Sequence, residues 1–156
     1  QLNEFLYWCQ QLIAESLGKK GRGILPVVSP APRDHHSLMQ LYLDGPKDKL
    51  FYIFSINFKK KMKINNNFFG KSFKFAENKD LSKVIFSQKK ALTKVFKKKN
   101  IPFREFKINV VNEKVLGELI SYFILETALI GKISGINPFD QPAVEEVKIL
   151  TKQYLI

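Results

Sequence analysis

The stretch LFYIFSI (residues 50–56) decides the fold class. It is apolar and rich in aromatic and β-branched residues, which is typical of a strand buried on both faces of a parallel sheet. A second strand is predicted for REFKINV (residues 104–110), where apolar and polar residues alternate. Between them, apolar residues at helical spacing predict a long helix over residues 80–98. This order of strand, helix and strand predicts an α/β fold with a parallel sheet.

Three further helices are predicted around this strand pair. Residues 2–17 carry apolar side chains at helical spacing, and Gly18 follows where a helix commonly ends. A shorter helix is predicted over residues 34–44, with Asp34 as its N-cap and a Gly-Pro pair after its end. The third helix is predicted over residues 113–129.

The chain is expected to form one domain. Its 156 residues supply one core and are too few for two ordinary domains. No linker long enough to divide residues 1–156 is evident. The apolar segment GILPVV (residues 23–28) is compatible with either a strand or an extended loop.

The loop and helix GINPFDQPAVEEVK (residues 135–148) stand out near the carboxyl end. Asp140 is placed to cap a helix that begins with Gln141 and a proline. Gln141, Glu145 and Lys148 are spaced i, i+4 and i+7, so one helix face carries all three side chains. Gln11 and Glu15 show the same i, i+4 spacing in the first helix.

The net charge of +12 is concentrated in one segment. Residues 58–114 hold 17 Lys and Arg against 4 Asp and Glu. Lysine predominates there and no nucleic-acid-binding motif accompanies it, so a solvated face is favoured over a binding surface. We therefore expect no nucleic-acid partner. A module that binds nucleic acid or another polyanion through this segment stays open as a less favoured hypothesis.

Other compositional features exclude several classes of protein. No apolar run approaches the roughly 20 residues of a membrane span, and the N-terminus lacks signal-peptide features. Cys9 is the single cysteine, so no disulfide framework and no thiol metal site is possible. We expect a cytoplasmic protein without membrane contact, metal or cofactor.

Individual candidate residues are ambiguous when each is taken alone. Glu15 could be a surface carboxylate, Lys148 a surface lysine, and His35 and His36 a pair facing solvent. Two adjacent histidines do not share a helix face, and the acidic partner of a zincin-like metal motif is absent.

Three polar segments together resemble one family. They are WCQQLIAESLGKKGRGILPV (residues 8–27), DHHSLMQLYLDGPKDK (residues 34–49) and INPFDQPAVEEVK (residues 136–148). The last is similar to the NPFDQ signature of the glucose-6-phosphate isomerase family, within the sugar isomerase domain superfamily. The family pattern has Gly at two positions that are Ala143 and Val147 here. The resemblance implies a flavodoxin-like, three-layer α/β sandwich with a parallel sheet and flanking helices.

The resemblance also implies roles for five residues. The family interconverts glucose 6-phosphate and fructose 6-phosphate by ring opening and proton transfer through a cis-enediol. By position in the matching segments, Glu15 is the catalytic base, His36 opens the ring and Lys148 supplies a cation or proton near the ring oxygen. Gln11 and Gln141 are the substrate-binding residues. His35 precedes the catalytic position.

The resemblance covers only a C-terminal part of the family enzyme. It implies a sugar-phosphate substrate and a homodimer of the complete enzyme in which His36 serves the partner subunit. Because the family's phosphate loop and enediolate arginine lie in the N-terminal half, this chain alone is expected to be inactive. The alternative from another class is a non-catalytic sugar-phosphate-binding domain of the same fold.

Overall fold

The chain is an α/β protein. The computed structural model describes residues 2–57, 62–64 and 71–156, and in these residues six α-helices accompany a two-stranded parallel sheet. In chain order the elements are α1 (Asn3–Leu17), α2 (Arg33–Ser37), α3 (Met39–Asp44), β1 (Phe51–Ile56), a 3-10 helix (Lys71–Ala76), α4 (Leu81–Lys98), β2 (Phe103–Ile108), α5 (Glu113–Ile133) and α6 (Pro142–Tyr154). The predicted α/β class with a parallel sheet is confirmed.

These elements are divided between two compact units. The terminal unit consists of Gln1–Ser29 and Asn112–Ile156, and it contains α1, α5 and α6. The middle unit consists of Pro30–Val111 and contains the remaining elements.

The parallel strand pair forms the centre of the middle unit. β1 and β2 pair in register from Phe51 opposite Phe103 to Ile56 opposite Ile108. Helix α4 connects them. Its Phe96 is 1% exposed, and the ring centroids of Phe96 and Phe51 are 4.7 Å apart. A helical crossover is the connection that parallel neighbours require.

The predicted burial of β1 on both faces is wrong. All six of its residues are half-buried. In the described sheet β1 has a single neighbour, β2, so its other edge is unpaired. β2 runs from Phe103 to Ile108, slightly before the predicted stretch at both ends, and its pairing with β1 stops at Ile108.

The helix predicted over residues 34–44 is two short helices, α2 and α3, which meet at Leu38. The N-cap position belongs to Pro32, and Asp34 lies inside the first turn of α2. The Asp34 N–H bonds the Pro30 carbonyl oxygen at 3.1 Å, so the first helical turn begins before Asp34 reaches the cap position. The predicted end at Gly45 is confirmed.

Helices α1 and α5 make the core of the terminal unit. The Phe5 and Phe123 rings meet edge to face with centroids 5.8 Å apart, and both side chains are buried. α1 ends before Gly18 as predicted. α5 is longer than predicted and runs to Ile133, while residues 23–28 form a loop, not a strand.

The Lys-rich segment is only partly described. Residues 58–61 and 65–70 lie outside the described residues. On α4 most lysines are exposed, as a solvated face requires: Lys83, Lys90, Lys94, Lys97 and Lys98.

Candidate active site

Gln11 and Glu15 are neighbours on one face of α1, as their spacing predicts. The Gln11 side-chain nitrogen Nε2 donates a hydrogen bond of 3.1 Å to Glu15 Oε1. Both side chains are exposed, so a solute can reach the carboxylate.

The turn that follows α1 is fixed to the loop that precedes α6. Lys19 Nζ donates to the Asn137 carbonyl oxygen at 2.5 Å and forms an ion pair of 2.8 Å with Asp140 Oδ1. Arg22 donates to the Ser134 carbonyl oxygen at 2.7 Å. These contacts join the helix that carries Glu15 to the loop that leads to Gln141.

The loop before α6 starts with a Schellman turn at the end of α5. Gly135 has φ +66, the left-handed conformation that glycine adopts most easily. The Ile136 N–H bonds the Gly131 carbonyl oxygen at 2.9 Å, and the Gly135 N–H bonds that of Lys132 at 3.2 Å. The buried Ile136 side chain, 6% exposed, fixes this loop to the core of the terminal unit.

Asp140 does not cap α6, so that prediction is wrong. The N-cap residue is Gln141, without a capping side-chain bond, and the helix begins at Pro142. The Asp140 carboxylate instead accepts from Asn137 Nδ2 at 2.9 Å and pairs with Lys19. A charged partner competes with a backbone N–H for the same oxygen atoms. The hydrogen bond from Lys19 holds the pKa of Asp140 below its usual range, and the bond from Asn137 acts in the same direction.

Two further candidate residues, Gln141 and Lys148, lie at the start of helix α6 and within it. Lys148 Nζ lies 2.6 Å from Glu145 Oε1, and the two side chains are 58% and 61% exposed. Gln141 is exposed at the start of the helix. Ala143 and Val147, where the family resemblance leads us to expect glycine, are exposed within a regular helix.

His36 lies in the middle unit, on α2, and its side chain is exposed, whereas that of His35 is half-buried. The described structure therefore pairs Gln11 with Glu15 and links their helix to the start of α6.

The contacts of Lys19 and Arg22 were not predicted from the sequence. The only local signal is their position in a Gly-rich turn, GKKGRG (residues 18–23), directly after α1. Both side chains reach residues more than a hundred positions away in the chain.

The described residues offer neither a metal cluster nor a membrane span. Within residues 2–57, 62–64 and 71–156, no group of three or more His, Cys, Asp or Glu side chains could hold a metal ion. In the same part of the chain, no helix combines the length and apolar character needed to cross a membrane.

Sequence relatives cover nearly the whole chain. It is 36% identical over 99% of its length to the probable glucose-6-phosphate isomerase of Methanococcus maripaludis, covering 35% of that protein. It is 35% identical over 94% of its length to the glucose-6-phosphate isomerase of Methanocaldococcus jannaschii, covering 36% of it. The chain thus spans about a third of the length of the curated relatives it matches. No protein-family model matches it.

Two solved structures share the fold over 99% of this chain. One is a hypothetical protein of Thermus thermophilus, with a TM-score of 0.87, 26% identity and 39% of that chain covered. The other is a glucose-6-phosphate isomerase from Chlamydia trachomatis, with a TM-score of 0.79, 18% identity and 32% covered.

The sequence relatives agree on one class of protein, the isomerases. Within that class, the resemblance found in the sequence is confirmed: the chain is homologous to part of glucose-6-phosphate isomerase.

Proposed function

We propose that this chain is the C-terminal part of an enzyme that interconverts glucose 6-phosphate and fructose 6-phosphate. The observation that carries the proposal is the 36% identity to a probable glucose-6-phosphate isomerase over 99% of the chain. In this reading the reaction is the glycolytic and gluconeogenic isomerisation, and no cofactor takes part.

Glu15 is the proposed base. The C2 proton of the open-chain sugar is acidified by the neighbouring carbonyl group, so a carboxylate placed beside it can remove the proton. The same carboxylate returns that proton to C1, while the C2 hydroxyl proton passes to the C1 oxygen through the cis-enediol, so the protein is left unchanged. The hydrogen bond from Gln11 holds Glu15 Oε1, and Oε2 is the oxygen proposed to take up the proton. Gln11 also contacts the sugar or its phosphate in this reading.

Lys148 and Gln141 are the proposed contributions of α6. The Lys148 pair with Glu145 is more than half exposed, and exposed pairs contribute little to stability. Substrate oxygen can therefore replace Glu145 at the Lys148 ammonium group at small cost. Gln141 binds the sugar phosphate from the start of the same helix.

His36 is the proposed ring-opening residue. Moving a proton between the ring oxygen and the C1 hydroxyl suits an imidazole, because histidine titrates near neutral pH. We propose a homodimer in which the partner subunit's His36 serves Glu15. His35 is half-buried beside it and has no proposed role.

The same proposal extends to the complete domain fold and to the cellular compartment. We propose that the strand pair β1 and β2, with α4 as crossover, is part of a three-layer parallel-sheet sandwich in a single C-terminal sugar isomerase domain of residues 1–156. Cys9 is free and buried, which fits the reducing cytoplasm.

The test is a coupled isomerase assay on fructose 6-phosphate. It compares this chain alone, the complete product of its gene, and the complete product with Glu15→Gln. Glu4, an exposed glutamate in the first turn of the same helix, supplies the control Glu4→Gln. We expect activity in the complete product, a loss of about 10²- to 10⁴-fold in Glu15→Gln, and no loss in Glu4→Gln.

A second outcome would favour the alternative, a non-catalytic sugar-phosphate-binding domain. In that case the complete product binds fructose 6-phosphate in calorimetry but does not isomerise it. Activity of the chain alone at the rate of the complete product would overturn the proposal that it is an incomplete part.

A further inference from the structure

The Lys19 side chain is unusually buried for a lysine. It is 11% exposed, and its ammonium group contacts both the Asn137 carbonyl oxygen at 2.5 Å and the Asp140 carboxylate at 2.8 Å. Lysine is almost never buried unless its charge is paired. These two partners satisfy the charge and give the ammonium a defined position.

The two partners of Lys19 lie immediately before α6. Asp140 is adjacent to Gln141, and Lys148 follows on the same helix. On the other side, Lys19 lies four residues after Glu15, in the turn that follows α1. One ammonium group therefore joins the end of the helix that carries the base to the start of the helix that carries Gln141 and Lys148.

Helix α6 depends on this junction for its placement. Every residue of α6 is exposed. In the described terminal unit, the buried contacts next to α6 are in the loop before it, at Ile136 and at the Lys19 side chain. A loose loop would let Gln141 and Lys148 move relative to Glu15.

We infer that Lys19 is a positioning residue of the isomerase reaction, holding Gln141 and Lys148 of α6 in place relative to Glu15. The inference rests on the proposed function. Lys19 itself does not touch the substrate, and its effect passes through the Asn137–Asp140 segment.

The test uses the complete product of the gene with Lys19→Met, Lys19→Arg and, as a matched control, Lys20→Met. Lys20 is the exposed neighbour in the same turn. Misplacement of a substrate contact by about 1 Å can lower the reaction rate about 100-fold. We therefore expect Lys19→Met to lower kcat/KM by roughly 10- to 100-fold, with KM raised and kcat lowered. Lys19→Arg keeps charged donors for both oxygens and recovers most of the loss. Lys20→Met should have the same kcat and KM as the unmodified protein.

A merely structural role gives a different result. If Lys19→Met only reduces the folded fraction, apparent kcat falls with the circular dichroism signal while KM stays constant, and this result overturns the inference. Unchanged kcat and KM in Lys19→Met overturn it too, while the proposed function stands. An inactive complete product with native Lys19 overturns the proposed function and the inference together.

A readout independent of activity comes from the carboxyl carbon of Asp140, followed by NMR in this chain. With Lys19→Met, the pKa of Asp140 should rise toward its ordinary value of 3.8, because Lys19 is the main cause that lowers it. An unchanged Asp140 titration would show that the ion pair is not formed in solution and would also overturn the inference.

Discussion

The ammonium group of Lys19 and the carboxylate of Asp140 lie 2.8 Å apart and join the end of α1 to the start of α6. Because Lys19 stabilises the ionised carboxylate, the pKa of Asp140 is lower in the folded protein than its ordinary 3.8. A group with a lowered folded-state pKa stabilises the fold above its unfolded-state pKa, and that contribution is lost as the pH falls.

The first prediction concerns this pH dependence. The unmodified chain should have a higher melting temperature than Asp140→Asn near pH 6, and the difference should shrink as the pH falls below about 4. Melting curves followed by circular dichroism between about pH 2 and pH 7 measure it. Glu146→Gln, at an exposed carboxylate of α6, is the control. A difference that is constant over the whole range would contradict the prediction.

The second prediction compares two glycines of α5. Gly117 has open space around it, whereas a methyl group at Gly131 would lie 3.0 Å from Pro138 Cβ and 3.1 Å from its Cγ. Gly117→Ala should raise the free energy of unfolding by about 0.5 to 1 kcal/mol, since alanine favours helix. Gly131→Ala meets the proline of the loop, and overpacking costs about 1 to 3 kcal/mol.

Urea unfolding of both variants checks this second prediction. We expect Gly131→Ala to be less stable than Gly117→Ala by at least about 1 kcal/mol. Equal stabilisation by both substitutions would mean that the loop at Pro138 moves aside without cost.

The third prediction concerns an ion pair beside the strands. Lys89 of α4 contacts Glu105 Oε1 at 2.7 Å and Ser55 Oγ at 3.2 Å, and the Lys89 and Glu105 side chains are 21% and 23% exposed. The Lys89 hydrogen bond is the main cause that lowers the pKa of Glu105, and Lys107 contributes to the same shift. Because water screens part of this interaction, Lys89→Met should lower the free energy of unfolding by about 0.5 to 1 kcal/mol near neutral pH.

Lys90→Met is the matched control for this ion pair, since Lys90 is an exposed lysine of the same helix. Its effect should stay within about 0.5 kcal/mol. The stability difference between the unmodified chain and Lys89→Met should decrease as the pH falls below 4.5, the ordinary pKa of glutamate. Equal losses in the two lysine variants would show that the pair contributes nothing specific.

The fourth prediction concerns the single thiol. Burial raises the pKa of Cys9 to about 12, and the side chain is 7% exposed. Because the thiolate is the reactive form, Cys9 of the folded chain should react with an aromatic disulfide reagent at least about 100-fold more slowly at pH 8 than in denaturant. Equal rates in the two conditions would place Cys9 at an accessible surface.

The fifth prediction separates the two histidines within the proposed function. In the complete product of the gene, His36→Asn should lower kcat for glucose 6-phosphate by about 100-fold or more, because general acid–base catalysis contributes about that factor. His35→Asn should change kcat much less. A larger loss at His35 than at His36 would exchange their proposed roles.

Much of the fold could be predicted from local sequence. An apolar run, an alternating run and an intervening helical pattern were enough for β1, β2 and α4, because strand and helix periods are properties of neighbouring residues. Gly18 marked the end of α1 for the same reason. The contact between Gln11 and Glu15 follows directly from i, i+4 spacing.

One error arises where a distant residue competes with a local rule. Asp140 precedes a proline-led helix and has the sequence context of an N-cap, but Lys19 binds its carboxylate instead. Apart from its place in the Gly-rich turn after α1, no local pattern distinguishes Lys19 in a chain with 26 Lys and Arg. The proposed roles of Glu15, His36 and Lys148 came from the family resemblance, since spacing alone left each of them ambiguous.

Because α6 is exposed, the candidate site is sensitive to small tilts of this helix about the loop that precedes it. A helix rises about 1.5 Å per residue, so Lys148 lies roughly 9 Å along the axis from Pro142, where α6 begins. A tilt of about 10° at the loop would shift the Lys148 backbone by about 1.5 Å, yet would leave Gln141 almost in place. Substitutions in the loop should therefore disturb the proposed role of Lys148, a cation or proton near the ring oxygen, more than the proposed binding of the sugar phosphate by Gln141.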